Sequence, residues 1–220
     1  MKKIMLSAIG IIAAMASFAQ VKFGVQAIGN LSSAAVETVP AVNFTKTMKE
    51  LGGAGMVAEF EASEKFSVRT GINYLQHGVI VESVKDPATD FQVKAENTLH
   101  YLQLPANVLY NIPVGKVTIF AGVGGFINYG IDGTTKQTTR QFMQDGSVDV
   151  TVEDLKAFKK EDQGGAGLKK FDYGASALAG VKFNNGLFTN LGYQLSLADI
   201  SEGEGKYKNQ GFQVSVGFLF

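Results

Sequence analysis

Apolar side chains alternate with polar or small ones at every second position along most of this chain, and helical periodicity is nearly absent. The last ten residues, GFQVSVGFLF, are the clearest example. Because successive side chains of a β-strand point to opposite faces of a sheet, a period of two predicts strands with one apolar and one polar face. We therefore expect an all-β protein.

Eight segments show this alternation and are predicted to be strands, at about 21–28, 53–62, 66–81, 98–110, 116–130, 171–183, 187–197 and 207–220. Their typical length is about 9–13 residues. Strands of globular proteins usually have about 5–6 residues, whereas a tilted strand that crosses hydrocarbon needs about 9–11.

The predicted strands are joined alternately by long and short connections. The short ones are residues 63–65, 111–115 and 184–186, and the long ones are 29–52, 82–97, 131–170 and 198–206. Strict alternation of this kind is typical of an even-stranded barrel with tight turns at one end and long loops at the other.

Periodicity alone leaves open which face of the sheet is outside. A soluble sandwich or lipocalin-like barrel would turn its apolar stripe inward, whereas a membrane barrel turns it to lipid. The polar face carries many glycines and ionisable residues of both signs, which favours a crowded lumen where charges must pair. We predict that this lumen holds a polar network of Lys22, Glu59, Glu61, Arg69, Gln103, Asp172 and Lys182, with Glu59 diagonally opposite Arg69.

Aromatic residues of the apolar face concentrate at the strand ends, as two girdles at the membrane interfaces would require. On the turn side we expect Phe23, Phe60, Phe66, Tyr110, Phe183 and Phe218. On the loop side we expect Tyr74, Tyr129, Phe171, Tyr173 and Phe212. The prediction is therefore an eight-stranded antiparallel up-and-down transmembrane β-barrel with four long extracellular loops and three short periplasmic turns.

The N-terminal residues 1–19 have the features of a secretory signal peptide. Lys2 and Lys3 precede an apolar stretch at 4–16, and a small-x-small site ends at Ala19, before Gln20. The alternative is a buried N-terminal helix. We expect cleavage between Ala19 and Gln20 and a barrel domain of residues 20–220.

Composition excludes several kinds of site. The chain has no cysteine, and its formal net charge is zero, so we expect no disulfide, no thiolate ligand and no nucleic-acid partner. We expect no cofactor or metal either, because the sequence has no metal-ligand spacing and GVGG at 122–125 lies within a predicted strand. The two histidines, His77 and His100, lie near the predicted loop-side rim.

Several motifs in order resemble one family. They are AQ followed by VKFGVQAIGN, then YLQLPANVLYN, DYGASALAGVKF and GYQLSLADI, and the aromatic terminus. The chain resembles the small outer-membrane β-barrel proteins of Bacteroidetes type, the PorT-like group, over essentially its whole length. One departure is Gln103, where such proteins often carry an acidic residue after YL. The resemblance implies the fold and an outer-membrane location, but no particular activity.

The C-terminal stretch also resembles the assembly signal of outer-membrane barrels. This interpretation implies the barrel-assembly machinery as a partner during biogenesis and pairing of the last strand with the first. Leu219 breaks the polar alternation, at the expected periplasmic edge. The lipid-facing residues of the predicted signal are Phe212, Val214, Val216, Phe218 and Phe220.

Three classes of function remain open. The first is a non-enzymatic membrane anchor that displays its loops, because an eight-stranded barrel is just wide enough for its own side chains. The second is a narrow channel or a component of envelope transport or secretion. The third is an enzyme that modifies outer-leaflet lipid, for which His77 and His100 are the candidate residues.

The long connection 131–170 is the candidate site for an unknown ligand or protein partner. Its segment TVEDLKAFKKED loosely fits a capping box at Thr151 and Asp154, with Leu155 and Phe158 on one helical face. This pattern predicts a short surface helix over the barrel mouth, and a solvated loop is the alternative.

Overall fold

The computed structural model describes residues 20–37, 44–84, 90–203 and 205–220. The predicted signal peptide 1–19, and with it Ala19, lies outside the described residues. Within this part, we find no helix that is long and apolar enough to cross a membrane. The same part forms a short 3-10 helix at Glu161–Gln163 and nine strands: β1 Gln20–Glu37, β2 Phe44–Glu61, β3 Phe66–Ser83, β4 Phe91–Val114, β5 Val117–Phe142, β6 Val148–Lys156, β7 Phe171–Phe183, β8 Leu187–Ser196 and β9 Lys206–Leu219.

Eight of the nine described strands form a closed ring of antiparallel pairs. β1 pairs with β2, β2 with β3, β3 with β4, β4 with β5, β5 with β7, β7 with β8, and β8 with β9. β9 then pairs with β1, for example Phe218 opposite Val25, which closes the ring. The predicted eight-stranded antiparallel barrel is confirmed, with closure between its first and last strands.

The two ends of the barrel differ in their connections. The turn end carries the short connections 62–65, 115–116 and 184–186, and the loop end carries the longer ones. Gly115 and Gly186 have φ angles of +61° and +94° in two of these turns. Residues with a Cβ rarely adopt positive φ, so glycine fits these two positions.

The strands extend further at the loop end than the apolar alternation predicts. β5 continues from the predicted end near residue 130 to Phe142, and β6 pairs with this extension. The helix predicted around 151–162 is wrong, because most of its first half lies in β6. Val148, Val150 and Val152 are β-branched and alternate along this strand, and that favours extended structure over a helix.

The two faces of the barrel are as the alternation predicts. Outward apolar side chains are exposed, with Val123 at 67% and Leu191 at 65% of their full accessibility. Inward polar groups are buried, and Glu59 and Asn128 are both at 0%. This arrangement, with apolar groups outside and polar groups inside, is typical of a barrel made for lipid.

The predicted aromatic girdle residues are exposed, apart from a half-buried Phe60. At the turn end, the rings of Phe66 and Tyr110 meet edge to face at 5.3 Å. At the loop end, the rings of Tyr193 and Phe212 lie 4.9 Å apart. Tyr193 also belongs with the loop-side aromatics.

Two apolar clusters lie inside the barrel, one near each end. The cluster near the turn end consists of Val57, Phe188 and Leu219. Leu219 therefore breaks the polar alternation because it packs in the interior. The larger cluster lies at the loop end and consists of Ala34, Val79, Leu99, Tyr101, Ala157, Leu168, Ile200 and Tyr207.

Candidate functional site

The lumen near the turn end holds a chain of alternating charges contributed by β1, β2, β3 and β7. Nη2 of Arg69 lies 2.6 Å from Oε2 of Glu59, whose Oε1 lies 2.5 Å from Nζ of Lys182. Lys182 also lies 3.4 Å from Oε1 of Glu61, which accepts from Lys22 at 2.7 Å. Each carboxylate thus lies between two cations, and the full burial of Glu59 requires such pairing.

Glu59 and Arg69 lie directly opposite each other, and the predicted diagonal placement is wrong. The β2–β3 hairpin is symmetric about Glu64, so residues five positions to either side of it face one another. Nε of Arg69 donates to the same carboxylate oxygen at 2.9 Å, which gives the pair two charge-assisted hydrogen bonds.

Two aromatic rings enclose the Arg69 side chain. Its guanidinium carbon lies 4.5 Å from the ring centroid of Phe120 and 4.5 Å from that of Phe188. A Cβ on Gly180 would lie 2.7 Å from the Phe120 ring, and one on Gly217 would lie closer still to the Phe188 ring. These two glycines therefore make the space in which the cation and both rings fit.

A layer of amide side chains crosses the middle of the lumen, with Gln103 at its centre. Nε2 of Gln103 donates to Asn128 at 3.1 Å and to Gln194 at 2.9 Å, and its Oε1 accepts from Asn73 at 3.3 Å. Asn73 in turn accepts from Gln26 at 2.9 Å. Side chains from five strands are thereby joined across the barrel axis.

Asp172 connects this layer to the loop end. Its Oδ2 accepts from Asn128 at 3.2 Å, from Ser196 at 2.9 Å and from Asn209 at 3.0 Å. Asn209 also donates to the hydroxyl of Tyr101 at 3.3 Å. This buried carboxylate is held by neutral donors, in contrast to Glu59.

An apolar cap closes the lumen at the loop end. Phe158 packs edge to face on Tyr101 at 5.7 Å, and a Cβ on Gly130 would overlap its ring. The segment that carries the cap is fixed by backbone hydrogen bonds: Ala157 N–H donates to Gly133 at 3.0 Å, and Leu168 N–H donates to Ala157 at 3.0 Å. Ile200, from the β8–β9 connection, is fully buried in the same cluster.

Among the residues that the structure describes, the middle of the lumen leaves little space. A cavity of about 50 Å³ lies in the middle, between Arg69, Asn73 and Asn107. Such a volume holds a few water molecules. A wider depression of about 470 Å³ opens at the turn end, where Lys22, Glu61 and Lys182 line its wall.

The structure places all seven residues of the predicted lumen network on the inward face. They fall into two groups: Lys22, Glu59, Glu61, Arg69 and Lys182 near the turn end, and Gln103 with Asp172 in the amide layer. The five predicted assembly residues, Phe212, Val214, Val216, Phe218 and Phe220, are all exposed on the outside.

Sequence reasoning missed the interior aromatic residues and most of the amide partners. The alternation is enough to place Phe120 and Phe188 inside, because they share a face with Thr118 and Asn190. Asn128 and Gln194 alternate with apolar residues and so belong to the polar face, but period two gives no information on which inward side chains meet across the lumen.

The two histidines are in different surroundings. His77 is buried under the cap, with its Nδ1 3.4 Å from Ser32 Oγ and its ring 5.8 Å from that of Tyr101. The ring of His100 contacts the Tyr74 hydroxyl at 2.5 Å on the barrel exterior. Among the described residues, no three or more His, Cys, Asp or Glu side chains form a group that could hold a metal ion.

Backbone hydrogen bonds to Asp199 and an ion pair of Lys206 fix the β8–β9 connection at the loop end. Burial acts to raise the pKa of Asp199, but backbone N–H groups of Tyr207 and Ser201 donate to its Oδ1 at 3.0 Å each and lower the pKa overall. The exposed Lys206 lies 2.7 Å from Glu37, which raises the pKa of Lys206. The Asp199 contacts hold the β8–β9 connection against the start of β9, and the ion pair holds the start of β9 against the end of β1.

Comparison with solved structures finds similar barrels at low identity. The chain is 15% identical to OprG from Pseudomonas aeruginosa, with a TM-score of 0.46 and coverage of 91% of this chain and 94% of that one. It is 14% identical to Neisserial surface protein A, with a TM-score of 0.41 and coverage of 91% and 99%. For the attachment invasion locus protein Ail of Yersinia pestis, identity is 12%, the TM-score 0.39 and coverage 90% and 99%.

Comparison with curated proteins gave no match. Comparison with protein families gave a match to the family described as outer membrane protein beta-barrel domain, over residues 18–202. That range is most of the chain and includes β1 to β8 of the structure. The chain therefore belongs to the outer membrane protein beta-barrel domain family, which places it in the outer membrane.

Proposed function

We propose that this protein is a non-enzymatic, plugged barrel that anchors in outer-membrane lipid and displays its loop-end hairpins. The observation that carries the proposal is the continuous filling of the lumen. The lumen holds four layers from the turn end to the loop end: the chain of charges, the stack of Arg69 on Phe188, the amide layer and the apolar cap. A barrel filled in this way transmits no bulky solute and serves as a rigid support.

The display role is supported by the β5–β6 hairpin. Residues 134–142 of β5 pair with Val148–Lys156, and β6 lies at the end of the strand order in the described part. Its Val148, Val150 and Val152 are between 45% and 51% exposed. An edge strand with exposed β-branched residues is a surface to which a partner can add a strand, so we assign the unknown ligand or protein to this part of 131–170.

Binding by the hairpin can be tested without disturbing the cap. Gln137 lies opposite Glu153, so residues 138–152 can be replaced by a two-residue turn while the cap segment from Ala157 onward is kept. The intact and shortened proteins are each used to capture outer-surface proteins or cells. Loss of capture with the shortened chain supports display by the hairpin, and equal capture contradicts it.

Export and assembly are part of the same proposal. Residues 1–19 would be removed between Ala19 and Gln20, and residues 20–220 would form the barrel with its loop end outside the cell. The assembly machinery would recognise β9 through Phe212 to Phe220, and the pairing of β9 with β1 and the exposure of these side chains support this role. A Phe220→Ala variant should accumulate less in the outer membrane than an Asn185→Ala control.

The finer assignment within the family is also proposed, as a Bacteroidetes-type, PorT-like protein of a Gram-negative envelope. Its support comes from the sequence motifs, which lie in β1, β4, β7 and β8, and the motif of β7 contributes Asp172 to the lumen. Gln103 in β4 departs from the pattern of that group. An envelope transport role through a narrow path is the second candidate, favoured by the charged depression of about 470 Å³ at the turn end.

The lipid-modifying role receives less support from the histidines. His77 is 1% exposed and enclosed under the cap, so a lipid substrate does not reach it. His100 contacts a tyrosine hydroxyl, whereas a nucleophile requires an adjacent base and orienting group.

Liposomes that contain the purified barrel should take up no small sugar beyond the leak of protein-free liposomes, and rapid uptake would instead support the transport candidate.

A further inference from the structure

Three lysines border a depression on the outer surface of the barrel near its loop end. We call Lys156, Lys159 and Lys170 the lysine shelf. They line a depression of about 200 Å³ together with Ile131, Asp132, Gly133 and Phe158. All three lysines are exposed, and none belongs to the lumen groups described above.

The shelf lies directly above the loop-side aromatic girdle. The outward residues Tyr129 and Phe171 face each other on β5 and β7, and Lys170 immediately precedes Phe171. The Gly130 N–H donates to the carbonyl of Lys170 at 2.7 Å, which fixes this residue at the top of the girdle. One residue of extended chain spans about 3.3 Å, so a lysine here presents its ammonium group at headgroup depth.

The membrane side of the depression is apolar. Ile131 is 52% exposed and follows Tyr129 on the outward face. Phe158 is half-buried and held by Tyr101, so its ring forms a fixed part of the depression wall. The site therefore has cations on one side and an apolar surface on the other, which is the polarity of a phospholipid or phosphorylated glycolipid.

The charge of the shelf is complementary to phosphate. Nζ of Lys156 lies 3.8 Å from Oδ1 of Asp132, and both side chains are largely exposed, so the pair is weak. One carboxylate against three ammonium groups leaves an excess of positive charge in the depression. Clusters of basic residues of this kind attract anionic lipid headgroups.

We propose that the lysine shelf binds the phosphorylated headgroup of an outer-leaflet lipid, with an acyl chain of that lipid along Ile131, Tyr129 and Phe171. This inference goes beyond the plugged-anchor function, because it assigns a specific lipid site on the barrel exterior. A protein partner is disfavoured because the depression adjoins the membrane-facing girdle, and a soluble anion would not use the apolar side.

The test is native mass spectrometry of the full chain in detergent, titrated with bis-phosphorylated lipid A and, separately, with its dephosphorylated form. The variant Lys156→Gln/Lys159→Gln/Lys170→Gln removes the shelf. The control Lys46→Gln/Lys136→Gln/Lys160→Gln removes the same charge from exposed loop-end lysines outside the depression. Heat-modified migration on gels verifies that each variant is folded.

We expect lipid A to bind the wild type and the control, and to bind the shelf variant at least about tenfold more weakly. The dephosphorylated lipid should bind the wild type at least about tenfold more weakly than lipid A, a comparison that needs no variant. Equal binding of the two lipids, or an equal loss in shelf and control variants, would overturn the proposal. Inorganic phosphate that competes at the affinity of lipid A would also overturn it, in favour of a site for soluble anions.

Discussion

Arg69 and Glu59 face each other on adjacent strands inside the barrel, joined through Nη2 and Oε2 at 2.6 Å. Both are buried, and the second oxygen of Glu59 is taken by Lys182. The arginine is also stacked between Phe120 and Phe188, so the pair fixes the rings that fill the lumen near the turn end. The stability of the barrel is therefore expected to depend on this carboxylate.

Replacing Glu59 by Gln should destabilise the barrel by about 3–5 kcal/mol, because it leaves Arg69 and Lys182 without their shared counter-charge in a buried site. Urea unfolding in lipid vesicles measures the change in free energy. Glu61→Gln is the control, since Glu61 is partly exposed and should cost only about 1 kcal/mol. A Glu59→Gln variant as stable as the Glu61→Gln variant would show that the pair is not needed.

The glycines beside the two rings make a second prediction. Gly180→Ala and Gly217→Ala should each destabilise the barrel by about 1–3 kcal/mol, because the added Cβ overlaps the ring of Phe120 or Phe188 and also the backbone oxygen of Thr189 or Val25. Gly192→Ala is the matched control, since its Cβ would meet its nearest atoms at 3.4 Å and beyond. The same urea titration gives the comparison, and three equal losses would mean that ring crowding is not the cause.

Gln103→Glu should cost about 1–3 kcal/mol, because a carboxylate loses both donations that Gln103 makes, to Asn128 and Gln194. Asn128 cannot rotate its amide to compensate without losing its own donation to Asp172. Unfolding of Gln103→Glu is compared with that of Gln144→Glu at the exposed tip of the β5–β6 hairpin. Unchanged stability at position 103 would contradict the role of its amide as the centre of the layer.

The β8–β9 connection should loosen in acid. The pKa of Asp199 is lowered from its ordinary value of 3.8, so its contribution is present above that value and is lost as pH falls through the lower, folded pKa. Asp199 accepts a hydrogen bond from the Tyr207 amide, so hydrogen exchange of that amide measures this change. Below about pH 4, the protection factor of the Tyr207 amide should fall as the pH is lowered. In the Asp199→Asn variant, this protection factor should not vary with pH. Identical profiles in the two proteins would contradict this assignment.

The β5–β6 hairpin should be dispensable for folding. Replacing residues 138–152 by a two-residue turn removes the pairing partners of residues 91–94 but leaves the rest of the eight-stranded ring and the Phe158 contact with Tyr101 in place. The shortened chain should keep heat-modified migration and a urea midpoint close to that of the full chain. If it fails to reach the outer membrane, the hairpin takes part in assembly as well as display.

The barrel itself was predictable from the sequence because period two fixes the face of each residue. Phe120 and Phe188 occupy positions of the polar face in the alternation of their strands, so period two alone places both rings inside. The predicted diagonal pairing of Glu59 and Arg69 was an error of register, since a hairpin symmetric about Glu64 sets them directly opposite.

The loop end was less predictable, for two physical reasons. The extension of β5 is polar on both faces, so residues such as Thr134 and Thr138 show no alternation although their backbones continue the sheet. The cap combines Ala157, Leu168 and Ile200 with distant strand residues, and such contacts leave no local pattern. The partners of Gln103 in the lumen could not be predicted either, because they also lie on strands that are distant in the sequence.

The filled lumen is tested most directly by single-channel recording of the purified full chain in planar lipid bilayers, with a general diffusion porin as the positive control. The charged chain from Lys22 to Arg69, the amide layer around Gln103 and the cap around Phe158 together predict no steady current steps. Reproducible ohmic steps that increase in number with the amount of folded protein would contradict a plugged barrel.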